Sequence, residues 1–249
     1  MARVLLLAAG GLARETASSI LATGDHHVVG MLDDSASMWG SEISGVAVLG
    51  GIELAAQRSE LLLVCAGPGR ARERIVRRLA ALGVGLGRYA THVSGTASIG
   101  SNASVWPGSI ILPGCVLTCD VSVGKHAVLM PRVVLTHDNA VGDYATLAAG
   151  VALGGNTVIG STAYVGMNAS VRQGLTVGEG ATLGMGSVLL VDQPANSVWA
   201  GNPARALGQT SLGQTLLGQS KSDQSNMEAQ CASGSSWGSD HHENTGLSA

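Results

Sequence analysis

Phenylalanine is absent from this 249-residue chain and aromatic residues make up only 3% of it, so a core has to be built from Val, Leu, Ile and Ala rather than from rings. Lysine is nearly missing as well, with Lys125 and Lys221 alone, and the net charge is −3. Without a basic face there is nothing to neutralise a phosphate backbone, and a nucleic-acid partner is not expected. Four cysteines with no CxxC pair are too few for a disulfide scaffold and form no zinc or redox motif. They fit a reducing cytoplasm, with no metal. No apolar run approaches the ~18 residues of a membrane span. The run over residues 4–13 reads as a buried first strand and its turn rather than as the apolar stretch of a signal peptide. A soluble protein without a membrane partner is expected.

What is abundant is glycine, 36 residues, and small aliphatics, within 45% hydrophobic residues overall. Glycine does not recur at every third position, which excludes collagen. A repetitive β architecture with tight turns accounts for both excesses.

Three regions follow one another. Residues 1–88 alternate short apolar runs with helix-like stretches: strands over 3–9, 27–32, 46–49 and 61–65, helices over 12–22, near 51–57 and over 70–82. This alternation predicts a small α/β domain with a parallel, Rossmann-like sheet. Over residues 89–205 the period changes to six. Sixteen consecutive hexads, from Val93 and Ile99 through Leu135, Val141 and Leu147 to Val177 and Leu183, carry an aliphatic residue without one insertion. A second position, four residues on, is small or apolar throughout except at Asn139, and glycine often follows the aliphatic position. Period six is neither helix nor flat strand; it is a short strand plus a turn, repeated, which predicts a hexapeptide solenoid of three hexads per coil with glycines at its corners. Residues 206–249, rich in Ser, Gln and Gly, read as a disordered tail whose His241-His242 pair is solvated.

Repeats such as VGDYAT, IGSTAY and VGEGAT, closed by Ala200-Gly201-Asn202-Pro203-Ala204-Arg205, resemble the left-handed β-helix acyltransferases. An α/β region with a glycine turn, LDD and a second glycine turn, joined to such a solenoid with a His-acid pair midway, narrows the resemblance. It is similar to the bacterial sugar acetyltransferases of the sialic acid O-acetyltransferase and UDP-4-amino-sugar N-acetyltransferase type. The resemblance implies a left-handed parallel β-helix, a homotrimer, acetyl-CoA as co-substrate in a groove between neighbouring subunits, and a sugar or UDP-sugar acceptor.

His137 and Asp138 hold the place and type of that family's His-acid pair, with His137 as general base and Asp138 orienting it. Histidine titrates near neutrality and suits removal of a proton from an attacking hydroxyl or amine. Outside the family, a solvated turn residue is the alternative. Cys119, His137, Gly155 and Gln173 stand 18 apart, so stacked coils set Gly155 beside the imidazole with room for a thin cofactor arm. The resemblance assigns Gly155, Asn156, Met167 and Met185 to cofactor binding, together with Thr146, which stands where many relatives have a second histidine. For the acceptor, Gly10 and Gly11 open a helix after a strand, where backbone N–H groups favour a pyrophosphate. Leu12 and Ala13 replace the last two residues of the family's Gly-His-Gly. Asp33 and Asp34 end the second strand, as contacts to a uracil or ribose or as a turn cap. Gly67-Pro68-Gly69 with Arg70 and Arg72 closes the other side of a phosphate site; otherwise the Arg run is a solvated helix face. Two other classes stand beside this reading. One is a non-catalytic sugar-nucleotide-binding module. The other is a γ-type carbonic anhydrase, whose three zinc-binding histidines the spacing of His92, His126 and His137 does not reproduce.

Overall fold

A computed structural model describes residues 1–209. The tail expected from residue 206 lies, from 210 on, outside the described residues. The N-terminal part runs β1 (Ala2–Leu7), α1 (Gly11–Thr23), β2 (His26–Leu32), β3 (Glu42–Ile43), β4 (Val46–Gly50), β5 (Leu61–Val64) and α2 (Gly69–Ala81). The sheet order is β3-β4-β2-β1-β5. β4, β2, β1 and β5 are parallel, and β3 pairs antiparallel with β4 across a turn at Ser44-Gly45, both at positive φ. The Rossmann-like arrangement is the expected one. β3 was not expected, and the stretch near 51–57 is a 3-10 helix, Ile52–Gln57. Leu5, Leu6 and Leu7 are fully buried because helices or the second domain cover both faces of the sheet.

From His92–Val93 to Val188–Leu189 the chain is a solenoid of two-residue strands, each pairing in parallel with the strand 18 residues on, as Leu117 does with Leu135 and Leu135 with Leu153. The strands form three sheets, the faces of a prism. The first face holds Val116–Leu117, Val134–Leu135 and Ala152–Leu153. The second holds Ser122–Val123, Ala140–Val141 and Val158–Ile159. The third holds Ile110–Ile111, Val128–Leu129 and Thr146–Leu147. The aliphatic hexad positions fill the prism, together with Ala127, Ala145 and Ala163 from the second series. Ser197–Ala200 and an antiparallel Arg205–Gln209 extend the third face, so the ordered chain passes residue 205. No helix among the described residues is long and apolar enough to cross a membrane.

The glycines serve a different end from the one expected. Those that follow the aliphatic position, such as Gly142, do not adopt positive φ; a Cβ there would press on Ser161 N, 2.6 Å away, in the coil above. Close stacking, not turn geometry, demands glycine. Positive φ falls instead three residues after each aliphatic position, from Asn102 and Gly108 through His126, Asp138 and Asn156 to Gly186. Asn, Asp and Gly tolerate that conformation best.

The two parts dock through the third face. Ile110, Leu112 and Val128 point outward from the solenoid and are fully buried in one cluster with Leu12, Ala13 and Ile20 of α1. Beside them Arg72 of α2 is 0% exposed. Its Nε donates to His126 O (2.8 Å), Nη1 to Ala66 O and Gly67 O (2.9 and 2.6 Å), and Nη2 to Tyr144 O (2.8 Å), Ala145 O and Thr146 Oγ1 (both 3.0 Å). Arg72 is therefore neither a solvated residue nor a phosphate ligand. It is a buried cation neutralised by carbonyl dipoles from both domains. Burial pulls it down to about 9, so it stays charged at neutral pH.

His126 packs beneath this clamp, edge-on to Tyr89 (4.6 Å between centroids) and stacked on Tyr144 (5.1 Å). Burial, helped by the Arg72 charge, brings its pKa down to about 4, and Asp143 and Lys125 are the other charges that face it.

Arg72→Met should cost about 3–5 kcal/mol, because it strands the His126, Ala66 and Tyr144 carbonyls at the buried junction. The shift in denaturation midpoint measures it. The lowered His126 pKa has a sign that can be tested. The unfolded ring takes up a proton near its ordinary value of about 6.5 and the folded ring only near 4. Its contribution is complete above pH 6.5 and is lost as pH falls toward 4, by at most about 3 kcal/mol. His92, also lowered by burial, adds to the same slope. Urea midpoints from pH 7 to 4 should fall in this window, and less steeply in His126→Gln.

Candidate active site

His137 lies at the corner joining the first face to the second, just after Val134–Leu135. It is exposed, and its Nδ1 is 2.7 Å from Asp138 Oδ2. Asp138 occupies the positive-φ position (φ 61°), which turns its carboxylate back toward the preceding ring. Its N–H is anchored to Cys119 O one coil below, and Asn156 N–H one coil above donates to His137 O (2.9 Å). With Nδ1 held by the carboxylate, Nε2 is the free nitrogen. It stands over Gly155, where a Cβ would overlap Nε2 and Cε1. The space left by the missing side chain at Gly155 is taken by the imidazole itself.

The peptide between Gly154 and Gly155 is held from inside the prism. Gly154 O accepts from Asn139 Nδ2 (2.8 Å) and Thr157 Oγ1 (2.7 Å), whose side chains are 1% and 0% exposed. In a trans peptide the N–H points opposite to the C=O. Gly155 N–H therefore faces outward at the His137 corner, and among the described residues it has no hydrogen-bond partner. A base and a fixed, unpaired donor sit side by side.

The other predicted cofactor residues divide between ridges. Asn156 shares the His137 corner. Met167 and Met185 stand on the ridge that joins the third face to the first, 49% and 76% exposed. Thr146 does not line a groove. It is 2% exposed beneath the N-terminal domain, donating to Gly67 O and accepting from Arg72, so its hydroxyl is committed to docking.

Gly10, Gly11, Asp33 and Gly67 gather at the carboxyl edge of β1, β2 and β5, the crevice where open parallel sheets bind ligands. Cβ atoms at Gly10, Gly11 and Gly67 would meet nothing within 4 Å, so the backbone there is open to approach. Asp33 is a bracket: its carboxylate accepts from Ala9 N–H and Ser35 N–H, both at 2.8 Å. Asp34 is paired with Arg78 through both oxygens (2.7 and 3.0 Å), and Arg78 also reaches Glu53. Leu12 turns inward to the docking core, 6% exposed, and offers nothing to an acceptor. Arg70 reaches Asn196 rather than a phosphate site (2.6 Å).

A cleft of about 1220 Å³ separates α1 and β2 from the methionine ridge, lined by Gly11, Arg14, Ser18, Pro131, Ala149 and Met167. It joins one predicted acceptor residue to one predicted cofactor residue.

The two histidines weighed with His137 as zinc ligands lie elsewhere. His92, on the first solenoid strand rather than before the solenoid, bonds Asp25 (2.9 Å) and Ser19 (2.8 Å) and ties α1 to that strand. Neither it nor His126 converges on His137. Among the described residues no group of three or more His, Cys, Asp or Glu side chains is placed to hold a metal ion. Sequence reading missed the Arg72 clamp and the inward role of Asn139, which stood out only as a break in the small interior series.

Gly155→Ala should leave the fold intact and push the imidazole aside, lowering any His137-dependent turnover by about tenfold or more. Turnover against circular dichroism of the same variant measures both.

Comparison with known proteins agrees with this architecture. Residues 3–79 match the PglD N-terminal domain family. No curated protein sequence matches the chain. Perosamine N-acetyltransferase from Caulobacter crescentus, solved as a His-to-Asn variant with CoA and GDP-perosamine, superposes with a TM-score of 0.75 at 25% identity, covering 83% of this chain and 97% of that one. The acetyltransferase domain of PglB from Neisseria gonorrhoeae FA1090, with acetyl coenzyme A, gives 0.75 at 27% identity, over 82% and 98%. WeeI from Acinetobacter baumannii AYE gives 0.71 at 26%, over 82% and 99%. The chain thus carries a PglD N-terminal domain on a hexapeptide-repeat solenoid and is similar over most of its length to solved sugar acetyltransferases of the left-handed β-helix type.

Proposed function

We propose that this protein transfers the acetyl group of acetyl-CoA to an amino group or hydroxyl of a nucleotide-linked sugar. The observation that carries the reading is the His137 corner: Nδ1 fixed by Asp138, Nε2 free, and an unpaired Gly155 N–H beside it. His137 Nε2 takes the proton of the acceptor as it attacks and returns it to the CoA sulfur as the C–S bond breaks, so that CoA leaves as the thiol. Asp138 holds the tautomer and offsets the charge gained by the ring. Gly155 N–H donates to the carbonyl oxygen of the thioester as negative charge gathers there. Acetyl-CoA supplies the activated acyl group as co-substrate, and Asn156, Met167 and Met185 are the residues offered to it. The acceptor's nucleotide belongs at the Gly10-Gly11 and Gly67 turns, where the backbone is open; relatives of the same architecture bind CoA and GDP-perosamine.

A homotrimer is part of the proposal. In a triangular coil the His137 corner is opposite the third face, and the third face is the one the N-terminal domain covers. The base and the acceptor turns of one chain thus stand on opposite sides of the prism, and the cofactor residues fall on two ridges. A neighbouring copy that sets its His137 ridge against the methionine ridge unites them.

Thiol release from acetyl-CoA with a panel of UDP- and GDP-linked amino sugars tests the assignment. His137→Ala should lower turnover by about 10²- to 10⁴-fold. A folded His137→Ala protein with full turnover overturns the general base. Binding of a sugar nucleotide with no thiol release on any acceptor favours a non-catalytic binding module instead.

A further inference from the structure

Each corner of the solenoid has a carbonyl, one residue past the aliphatic position, that has to be held. At eight of the sixteen corners the backbone N–H three residues on holds it, as Ala145 N–H does Gly142 O, Ala163 N–H does Gly160 O and Ala181 N–H does Gly178 O. The corner above His137 is one of those without that backbone bond. Gly154 O is held by two interior side chains, Asn139 Nδ2 and Thr157 Oγ1. Asn139 is the largest polar side chain at any small interior position of the repeat, and its Oδ1 is buried with no partner among the described residues. A core that is otherwise aliphatic thus carries an unpaired acceptor in the coil of His137. Such a polar group is expensive where a small apolar residue would fit. Local sacrifice of stability of this kind is a mark of function.

We propose that Asn139, with Thr157, is a positioning residue for acyl transfer: together they lock the Gly154-Gly155 peptide so that Gly155 N–H is aimed at the reacting carbonyl beside His137 Nε2. The inference rests on the acyltransfer reading. It adds a group that touches no substrate and acts through a peptide plane. An interior side chain that bonds a carbonyl 15 residues on is not by itself special, since Ser109 Oγ does the same to Gly124 O (2.6 Å) at a corner away from His137. What distinguishes the His137 corner is the second side-chain donor on its carbonyl, which fixes a peptide standing beside the imidazole; the outward N–H itself recurs, as at Asp143, Ser161 and Glu179, which have no partner among the described residues either. Ser109 therefore supplies the control.

The experiment compares Asn139→Val, Thr157→Val and Ser109→Ala with the unmodified protein for thermal midpoint, kcat, KM for acetyl-CoA and the pH dependence of kcat. Asn139→Val should keep or raise the melting temperature, because an unpaired buried acceptor is removed. Its kcat should fall by about tenfold or more. KM for acetyl-CoA should stay within about twofold, and the pH profile should be unmoved, since the base is untouched. Ser109→Ala should lose stability with kcat unchanged. Unchanged kcat in a folded Asn139→Val protein overturns the inference, as does a fall in kcat matched by Ser109→Ala. If Asn139→Val does not fold, Thr157→Val removes the other donor to the same carbonyl and carries the same expectation. Failure of the acyltransfer reading is separate: it is seen as no thiol release by the unmodified protein.

Discussion

Every coil of the solenoid depends on the coils above and below it, because a two-residue strand has no partner of its own and must find one 18 residues away. That register is the constraint from which the rest follows. It puts like positions in columns, so aliphatic side chains fill the prism and each corner repeats the same backbone conformation with positive φ three residues past the aliphatic position. It also sets the chemistry. His137 stands over Gly155 because they are 18 apart, and Asp138 turns its carboxylate back to the ring because it occupies the corner's left-handed position. The candidate site is a regular corner in which a few residues have been exchanged.

The second controlling feature is the buried Arg72. A guanidinium without a carboxylate partner survives in the interior only if oriented carbonyls replace its hydration. Those carbonyls come from the Gly67 turn on one side and from the His126 and Tyr144 corners on the other. The cation thus joins two domains through backbone groups that neither could satisfy alone. By pinning the N-terminal sheet to the third face it sets the Gly10-Gly11 and Gly67 turns on the side of the prism away from His137.

Much of this was legible beforehand. Hexads of unbroken length allow one architecture, and the β-α alternation over residues 1–88 allows few others. The His137, Asp138 and Gly155 grouping also followed, because stacking arithmetic in a solenoid is exact to the residue. Leu12, Thr146 and Arg72 were not legible. Each was read by its chemical type or by its place in a local motif, and each owes its role to a docking surface made by residues 50 to 100 positions away. The glycines were half legible: their positions followed from the repeat, but the reason was the backbone of the next coil rather than the turn.

What the sequence determined by itself was therefore everything that depends on local period: the prism, its core, its corners and the column in which the imidazole stands. These need only neighbours at a fixed distance along the chain. What the tertiary structure decided was which outward-facing positions remain outward. Burial of Ile110, Val128 and Thr146 under α1 and α2 and of Arg72 among carbonyls arises from contacts between distant segments. No periodicity encodes such contacts, because a side chain's solvent is chosen by whatever packs against it.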